Sequence, residues 1–209
     1  MSVELFYLLK KLSRYPPVMD IIDFYMVDID RVILSNQIIS LKSKSIQLSY
    51  NKYTDNNIYL LVNSLPWSDL EYLYLTSNRL TSIYLLAKKL KKTNIKSITL
   101  CDNMIEDISP LHFFKNTKLE SITFAKNKIK NIDPLVDLLP KSNLKNIILA
   151  NNKIENITKL LDVIPKSKLE KLFISASNTT LYDKQKISNG IKNINNKLVK
   201  IVLYVNYGG

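Results

Sequence analysis

Glycine is scarce in this chain: Gly190, Gly208 and Gly209 are its three copies among 209 residues. Phosphate-binding loops need glycine because the missing side chain lets backbone N–H groups approach the ligand. Histidine and cysteine occur once each, as His112 and Cys101. A single cysteine excludes an intrachain disulfide, and one histidine with one cysteine cannot build a zinc site. We therefore predict no metal and no cofactor.

The sequence also lacks a long hydrophobic run, since no apolar stretch approaches the ~20 residues needed to span a bilayer. The N-terminal segment MSVELFYLLKKLSRYPP has an acidic residue at position 4, and its lysines follow the short apolar run. That is the wrong order for a secretory signal. We expect a soluble intracellular protein of the cytoplasm, with the nucleus as the alternative, and no membrane association.

Arginine is rare against a large excess of lysine. The formal net charge is +12, and three Arg among 30 basic residues leave 27 Lys. The rigid Arg fork reads bases and phosphates bidentately, whereas Lys is a flexible point charge, so the composition disfavours a nucleic-acid reader. The joint excess of Lys, Asn and Ile indicates an AT-rich coding genome. The alternative is a basic scaffold that binds nucleic acid or anionic surfaces through lysines on the outer, convex side of a curved fold.

Hydrophobic residues are abundant, at 46% of the chain, and they recur with a fixed spacing. Four segments share the form L-x-x-L-x-L-x-x-N-x-L-x-x-I, and their asparagines are 25, 24 and 25 residues apart. The segments are LEYLYLTSNRLTSI (70–83), IKSITLCDNMIEDI (95–108), LESITFAKNKIKNI (119–132) and LKNIILANNKIENI (144–157). Degenerate copies are SKSIQLSYNKY (43–53), LEKLFISAS (169–177) and LVKIVLYVN (198–206).

These seven or so units resemble the leucine-rich repeat family, and their length is similar to that of its ribonuclease-inhibitor-like subclass. The resemblance implies an α/β fold: a right-handed solenoid, or horseshoe, with a parallel sheet on the concave side and helices on the convex side. It also implies a protein-interaction scaffold. We predict a helical N-terminal cap at 1–42, the solenoid at 43–206 and a C-terminal tail at 207–209.

The segments between the motifs favour short convex helices, at 83–92, 109–116, 133–141 and 158–166. Ser109 and Asp133 each precede a proline, so we predict that they cap helices whose first residue is that proline. We place His112 partly buried on one of these helices. Cys101 lies in a strand without a histidine nearby, so we predict that it is inert. No activated nucleophile is evident, and we predict no catalytic residue and no enzymatic activity.

Each repeat asparagine stands where the chain leaves its strand and turns inward. Backbone N–H and C=O groups would be buried there without partners, and an Asn amide supplies both donors and an acceptor. We therefore predict a structural asparagine ladder, with contact to a ligand as the alternative. Its members are Asn51, Asn78, Asn103, Asn127, Asn152 and Asn206.

In the first six units the residue at the second position of the motif alternates in charge. Equivalent residues of neighbouring parallel strands lie about 4.8 Å apart, so opposite charges pair laterally. We predict a structural charge ladder rather than a charged binding rim, with each exposed pair contributing a few tenths of a kcal/mol or so. The ladder consists of Lys44, Glu71, Lys96, Glu120, Lys145 and Glu170.

The outward-facing strand positions are small and polar in the middle units, and aromatic or apolar on both sides of them. Rigid aromatics on an exposed sheet are typical anchors of protein interfaces. We predict that a monomer binds an unidentified protein partner through six concave residues, with packing between strands as the alternative role. The six are Tyr50, Tyr72, Tyr74, Ile148, Phe173 and Tyr204. A second alternative is an adaptor that docks other machinery through residues 1–42.

Overall fold

A computed structural model describes residues 43–56, 58–177, 189 and 200–206. Its seven strands form one sheet in the order of the chain, and all neighbours are parallel. The strands are β1 (Ser45–Gln47), β2 (Tyr72–Tyr74), β3 (Ser97–Thr99), β4 (Ser121–Thr123), β5 (Asn146–Ile154), β6 (Lys171–Ser177) and β7 (Lys200–Asn206). One parallel strand per repeat confirms the predicted solenoid. The cap expected at 1–42 and the tail at 207–209 lie outside the described residues.

The strands pair in an unstaggered register. Each residue lies beside its equivalent in the next repeat, as in Tyr72↔Ser97 and Ser97↔Ser121. A register shift occurs between Leu149 and Ile154, where β5 runs on past the length of the earlier strands. The sequence alignment on the asparagines therefore gives the spatial neighbours on the sheet.

Short helical segments connect consecutive strands from β1 to β6. The α-helices are α1 (Tyr59–Ser64), α2 (Tyr84–Leu90), α3 (Asp133–Leu138) and α4 (Thr158–Val163). Three-residue 3-10 turns at Leu65–Trp67, Leu139–Lys141 and Ile164–Lys166 follow α1, α3 and α4. Among the described residues, none of the helices has the length and hydrophobicity that crossing a bilayer requires.

The segment predicted as a helix at 109–116 is a 3-10 helix, Ser109–Phe114. It belongs to the repeat between Asn103 and Asn127, which is 24 residues long where the repeats on either side have 25. A 3-10 helix rises about 2.0 Å per residue and an α-helix about 1.5 Å. The tighter helix therefore lets a shorter segment span the convex side.

The helix caps do not lie at the residues predicted from the sequence. Ser109 and Asp133 are themselves the first helical residues, so they do not cap the helices. Their backbone N–H groups donate to Asp107 Oδ1 at 2.7 Å and to Asn131 Oδ1 at 2.9 Å. The capping side chain thus lies two residues earlier than predicted, because the isoleucine between them takes the buried first position of the turn.

Leucine and isoleucine from both layers form one continuous core. The inward residues of the strands, such as Leu73, Ile98 and Ile122, are at most 1% exposed. Buried residues of the convex segments, such as Leu86 and Phe114, pack in the same cluster. Because each repeat cannot bury its apolar side alone, stacking on its neighbours provides the core.

Candidate functional site

The register places the two predicted tyrosines of β2 beside a set of small outward side chains on β3 and β4. We call this set the floor; it consists of Ser97, Thr99, Ser121 and Thr123. Tyr72 lies opposite Ser97 and Tyr74 opposite Thr99, and these in turn lie opposite Ser121 and Thr123 of β4. Tyr72 is 39% exposed, and Tyr74 is half-buried. Two tyrosines therefore rise along one border of a low, polar floor on the concave side.

Larger side chains return on the far border of this floor. Ile148 of β5 lies opposite Thr123, and Phe173 of β6 lies opposite Ile148. Lys171 Nζ lies 4.9 Å from the centroid of the Phe173 ring, a distance suited to a cation–π contact. Tyr204 lies in β7 opposite Ser175, and its side chain is outside the described residues. Tyr74 and Phe173 are four strands, or about 19 Å, apart.

Tyr50 is more exposed than Tyr72, with 67% of its surface accessible. Its backbone has φ of +63°, in the left-handed region. A residue with a Cβ pays of order 1–2 kcal/mol for this conformation. The backbone N–H donates to Thr76 O at 2.9 Å, which ties the residue to the next repeat. Tyr50 is thus an exposed ring on a backbone of fixed geometry.

The left-handed conformation recurs immediately before each asparagine of the first five repeats. The φ values are +63° at Tyr50, +54° at Ser77 and Asp102, +56° at Lys126 and +57° at Asn151. In the first four repeats the N–H of this residue donates to a carbonyl of the next repeat. In the fifth, Asn151 donates to Ser175 Oγ at 3.1 Å. The left-handed residue was not predicted from the sequence, because no glycine marks it.

The repeat asparagines bond the backbone of their own and the preceding repeat. Asn103 Oδ1 accepts from Leu80 N at 3.0 Å, and its Nδ2 donates to Leu75 O at 3.0 Å and Leu100 O at 3.2 Å. Asn78, Asn127 and Asn152 repeat this pattern. Asn51 differs, since its Nδ2 donates to Ser49 O of its own repeat. The side chain of Asn206 lies outside the described residues.

The alternating charges form one triad of ion-paired residues and one separate ion pair. Lys44 Nζ lies 3.1 Å from Glu71 Oε1, and Lys96 Nζ lies 2.6 Å from Glu71 Oε2. Lys145 Nζ lies 3.0 Å from Glu120 Oε2. The described residues hold no ion pair between Lys96 and Glu120 or between Lys145 and Glu170.

The ion pairs shift the pKa values of their members. Hydrogen bonds from Lys96 and then Lys44 lower the pKa of Glu71. The hydrogen bond to Glu71 raises the pKa of Lys96, and that to Glu120 raises the pKa of Lys145. All of these groups stay charged near neutral pH, so the edge of the sheet where the strands begin is nearly neutral overall.

A ladder of buried hydroxyl groups, which was not predicted from the sequence, lies at the ends of the convex segments. Each hydroxyl donates to the carbonyl three residues back, at 2.7–3.2 Å. In four of them it also accepts the N–H two residues on. The residues are Ser68, Thr93, Thr117, Ser142 and Ser167. A Ser or Thr ten positions before each repeat asparagine or its equivalent was the available signal.

The chemistry-bearing residues do not converge. Cys101 is half-buried on the sheet, and burial raises the pKa of its thiol, which disfavours the nucleophilic thiolate. His112 was predicted partly buried and is exposed, because Leu111 and Phe114 take the inward positions of its three-residue turn. Its Nδ1 lies 2.9 Å from Ser109 O. Within the described part of the chain, no three His, Cys, Asp or Glu residues group to hold a metal.

No protein-family model matches the chain, and no curated protein matches its sequence. Solved structures do match. An internalin (inlF) from Listeria monocytogenes has a TM-score of 0.52 and 22% identity, covering 83% of this chain and 51% of that one. An internalin C2 (inlC2) from the same organism has a TM-score of 0.49 and 17% identity, covering 84% and 92% respectively.

The stacked repeats and the first of these likenesses identify the fold as that of a leucine-rich repeat protein. The chain spans about half the length of that internalin. The ribonuclease-inhibitor-like subclass stays a prediction.

Proposed function

We propose that this chain is a non-catalytic binding module that holds a protein partner on its concave sheet. The supporting observation is the register: Tyr72 and Tyr74 stand on one border of a small polar floor, and Ile148 and Phe173 on the other. A helix or loop of a partner fits between two such borders. Its apolar side chains would cover the rings, and the floor would supply hydrogen bonds.

The floor itself supports this proposal. The outward side chains of β3 and β4 are serine and threonine, all half-buried, with Cys101 and Ala125 beside them. Small side chains leave room for an inserted segment, while their hydroxyl groups remain available to it. The aromatic rings of the borders lose little conformational entropy on binding, since they have few rotatable bonds.

The test is capture of the partner from the native host, identified by mass spectrometry, with wild type beside Tyr74→Ala/Phe173→Ala. We expect the double variant to lose the partner, because truncating anchors costs about 2 kcal/mol or more each. Tyr84→Ala is the matched control, because Tyr84 is a 45% exposed tyrosine on the convex side. Circular dichroism checks that each variant is folded.

A second variant tests the floor without touching the anchors. Ser121→Trp places a large ring in the middle of the floor and should block the partner as fully as the loss of both anchors. Retained capture by the folded double variant and by Ser121→Trp would refute the concave site.

A further inference from the structure

The exposed residues on either side of each repeat asparagine form a rim where the strands end. We define the rim as the residues directly before and after the asparagine in the first five repeats. These are Tyr50 and Lys52, Ser77 and Arg79, Asp102 and Met104, Lys126 and Lys128, and Asn151 and Lys153. All are exposed except Ser77, which is half-buried.

Backbone hydrogen bonds hold the rim residues of neighbouring repeats in line. Arg79 N donates to Tyr53 O at 2.7 Å, and Met104, Lys128 and Lys153 donate to the preceding repeat at 2.9 Å. The left-handed residues before the asparagines are fixed in the same way. The charges of the rim are therefore spaced by one repeat, about 4.8 Å, on a rigid support.

A cavity of about 220 Å³ lies on the rim between the first three repeats. Lys52, Arg79 and Met104 line it, together with Ser77 and Asp102. Ser77 Oγ donates to Asp102 Oδ2 at 2.7 Å, which orients the carboxylate. The cavity brings two cations of neighbouring repeats together, and the Asp102 carboxylate lines the same cavity.

The rim has a charge pattern, positive at both ends and negative in the middle. The first two repeats contribute Lys52 and Arg79, the third contributes Asp102, and the fourth and fifth contribute Lys126, Lys128 and Lys153. Glu106 adds a second carboxylate beside the middle, 3.8 Å from Lys128 Nζ. This pattern contrasts with the opposite edge, where the charge ladder neutralises itself.

We infer that the rim recognises a protein segment with two acidic clusters separated by a short neutral or basic stretch. The inference rests on the proposed function, because the segment belongs to the partner held by the concave sheet. The centres of the two positive ends are three repeats, or about 14 Å, apart, which an extended chain covers in four to five residues. A single nucleic-acid strand is a poorer fit. It carries a charge at every nucleotide and would place one against Asp102.

The test is fluorescence anisotropy at low salt with three labelled probes. The first is the peptide Glu-Glu-Ser-Lys-Ser-Glu-Glu, which carries the inferred pattern. The second is Glu-Lys-Glu-Ser-Glu-Ser-Glu, which has the same composition without the pattern, and the third is an oligothymidylate. We expect the patterned peptide to bind several-fold more tightly than the scrambled one, as favourable exposed ion pairs allow.

Two charge reversals of equal size locate the binding. Lys52→Glu/Arg79→Glu should weaken the patterned peptide about tenfold. Lys91→Glu/Lys92→Glu changes the net charge by the same amount on exposed convex residues and should leave the affinity within about twofold. Asp102→Lys should reduce the preference for the patterned over the scrambled peptide and strengthen the oligothymidylate.

Four results would overturn the inference: equal binding of both peptides, equal loss in the two reversal variants, tightest binding of the oligothymidylate, or no binding of any probe. The peptides contain no aromatic or apolar side chain, so Tyr74→Ala/Phe173→Ala should not change their affinity. Failure of the rim is therefore separable from failure of the concave site, which is measured with the native partner.

Discussion

Backbone groups lose their hydrogen-bond partners where each strand turns inward, and the side-chain amide of the repeat asparagine bonds them instead. Asn103 satisfies Leu80 N–H together with Leu75 and Leu100 C=O, and it is 8% exposed. A side chain of the same size without polar atoms would leave these groups buried and without partners. The cost of such groups is larger than the net gain from one hydrogen bond, because desolvation is not compensated.

We therefore expect Asn103→Leu to lower the free energy of unfolding by about 3 kcal/mol. Urea unfolding followed by circular dichroism measures this loss. Asn94→Ala is the control, since Asn94 Oδ1 accepts an exposed bond from Lys118 and its loss should cost about 0.5 kcal/mol or less. Equal losses in the two variants would show that the buried amide does not stabilise the turn.

The residue before each asparagine shows where sequence reasoning fails at this scale. Glycine is the usual residue at positive φ, yet Tyr50 and Lys126 adopt it here. Backbone bonds to the neighbouring repeat impose the conformation, and these bonds depend on the stack rather than on the residue. Local propensity therefore gives no signal for the turn at Tyr50 and Lys126, although the repeat spacing locates it.

At the scale of single elements, the pattern of leucines predicted the seven strands that the structure describes, and the alternation of inward and outward residues along the first five of them. It did not predict the type of helix between Ser109 and Phe114, or the position of the caps. Those features depend on the length of one repeat relative to its neighbours and on which residue starts the turn. Both are set by packing against the adjacent repeats rather than by the local sequence.

The ion pairs at the edge of the sheet where the strands begin contribute a stability that depends on pH, because it requires ionised Glu71. Its pKa is lowered by hydrogen bonds from Lys96 and Lys44, so its ionised form is favoured by folding. A lowered folded-state pKa contributes stability above the ordinary value of about 4.5, and this contribution disappears as the pH falls through the folded-state pKa. The stabilisation is therefore present at neutral pH and lost in acid.

We expect Glu71→Gln to unfold at a lower urea concentration than wild type at pH 7, with the difference disappearing below about pH 4.5 as Glu71 becomes protonated. High salt should reduce the difference at pH 7, because the pairs are exposed. Glu155→Gln is the control, since Glu155 is exposed and forms no ion pair within the described part of the chain. A difference that stays constant with pH would contradict a stabilising role for the triad.

At the scale of the whole molecule, the sequence pattern predicted the stacking of the repeats. The register then places Tyr74 and Phe173 four strands apart, with small side chains between. The charge pattern of the rim was harder to see. A basic residue follows four of the first five repeat asparagines and is visible in the sequence, whereas Asp102 and Lys126 precede their asparagines. The cavity lined by residues from both positions shows that the two rows share one surface.

A destabilising substitution in one repeat of the solenoid should mainly loosen that repeat and its neighbours, because each repeat packs mainly on the two beside it. Ile122 is the inward residue of β4, in the middle of the array, and Ile46 is its equivalent in β1. Replacing either by alanine should cost about 3 kcal/mol locally, from lost burial and the resulting cavity. Hydrogen exchange then reports which repeats lose protection.

We expect Ile122→Ala to raise amide exchange most in β3, β4 and β5, and Ile46→Ala to raise it most in β1 and β2. Each variant is the control for the other, since the chemical change is the same and its place in the array differs. A uniform rise over all strands in both variants would mean that the repeats unfold as one cooperative unit. The concave floor would then share the stability of the whole sheet. If the response is local, Ile122→Ala should weaken partner binding at the floor while the rim residues of the first two repeats stay ordered.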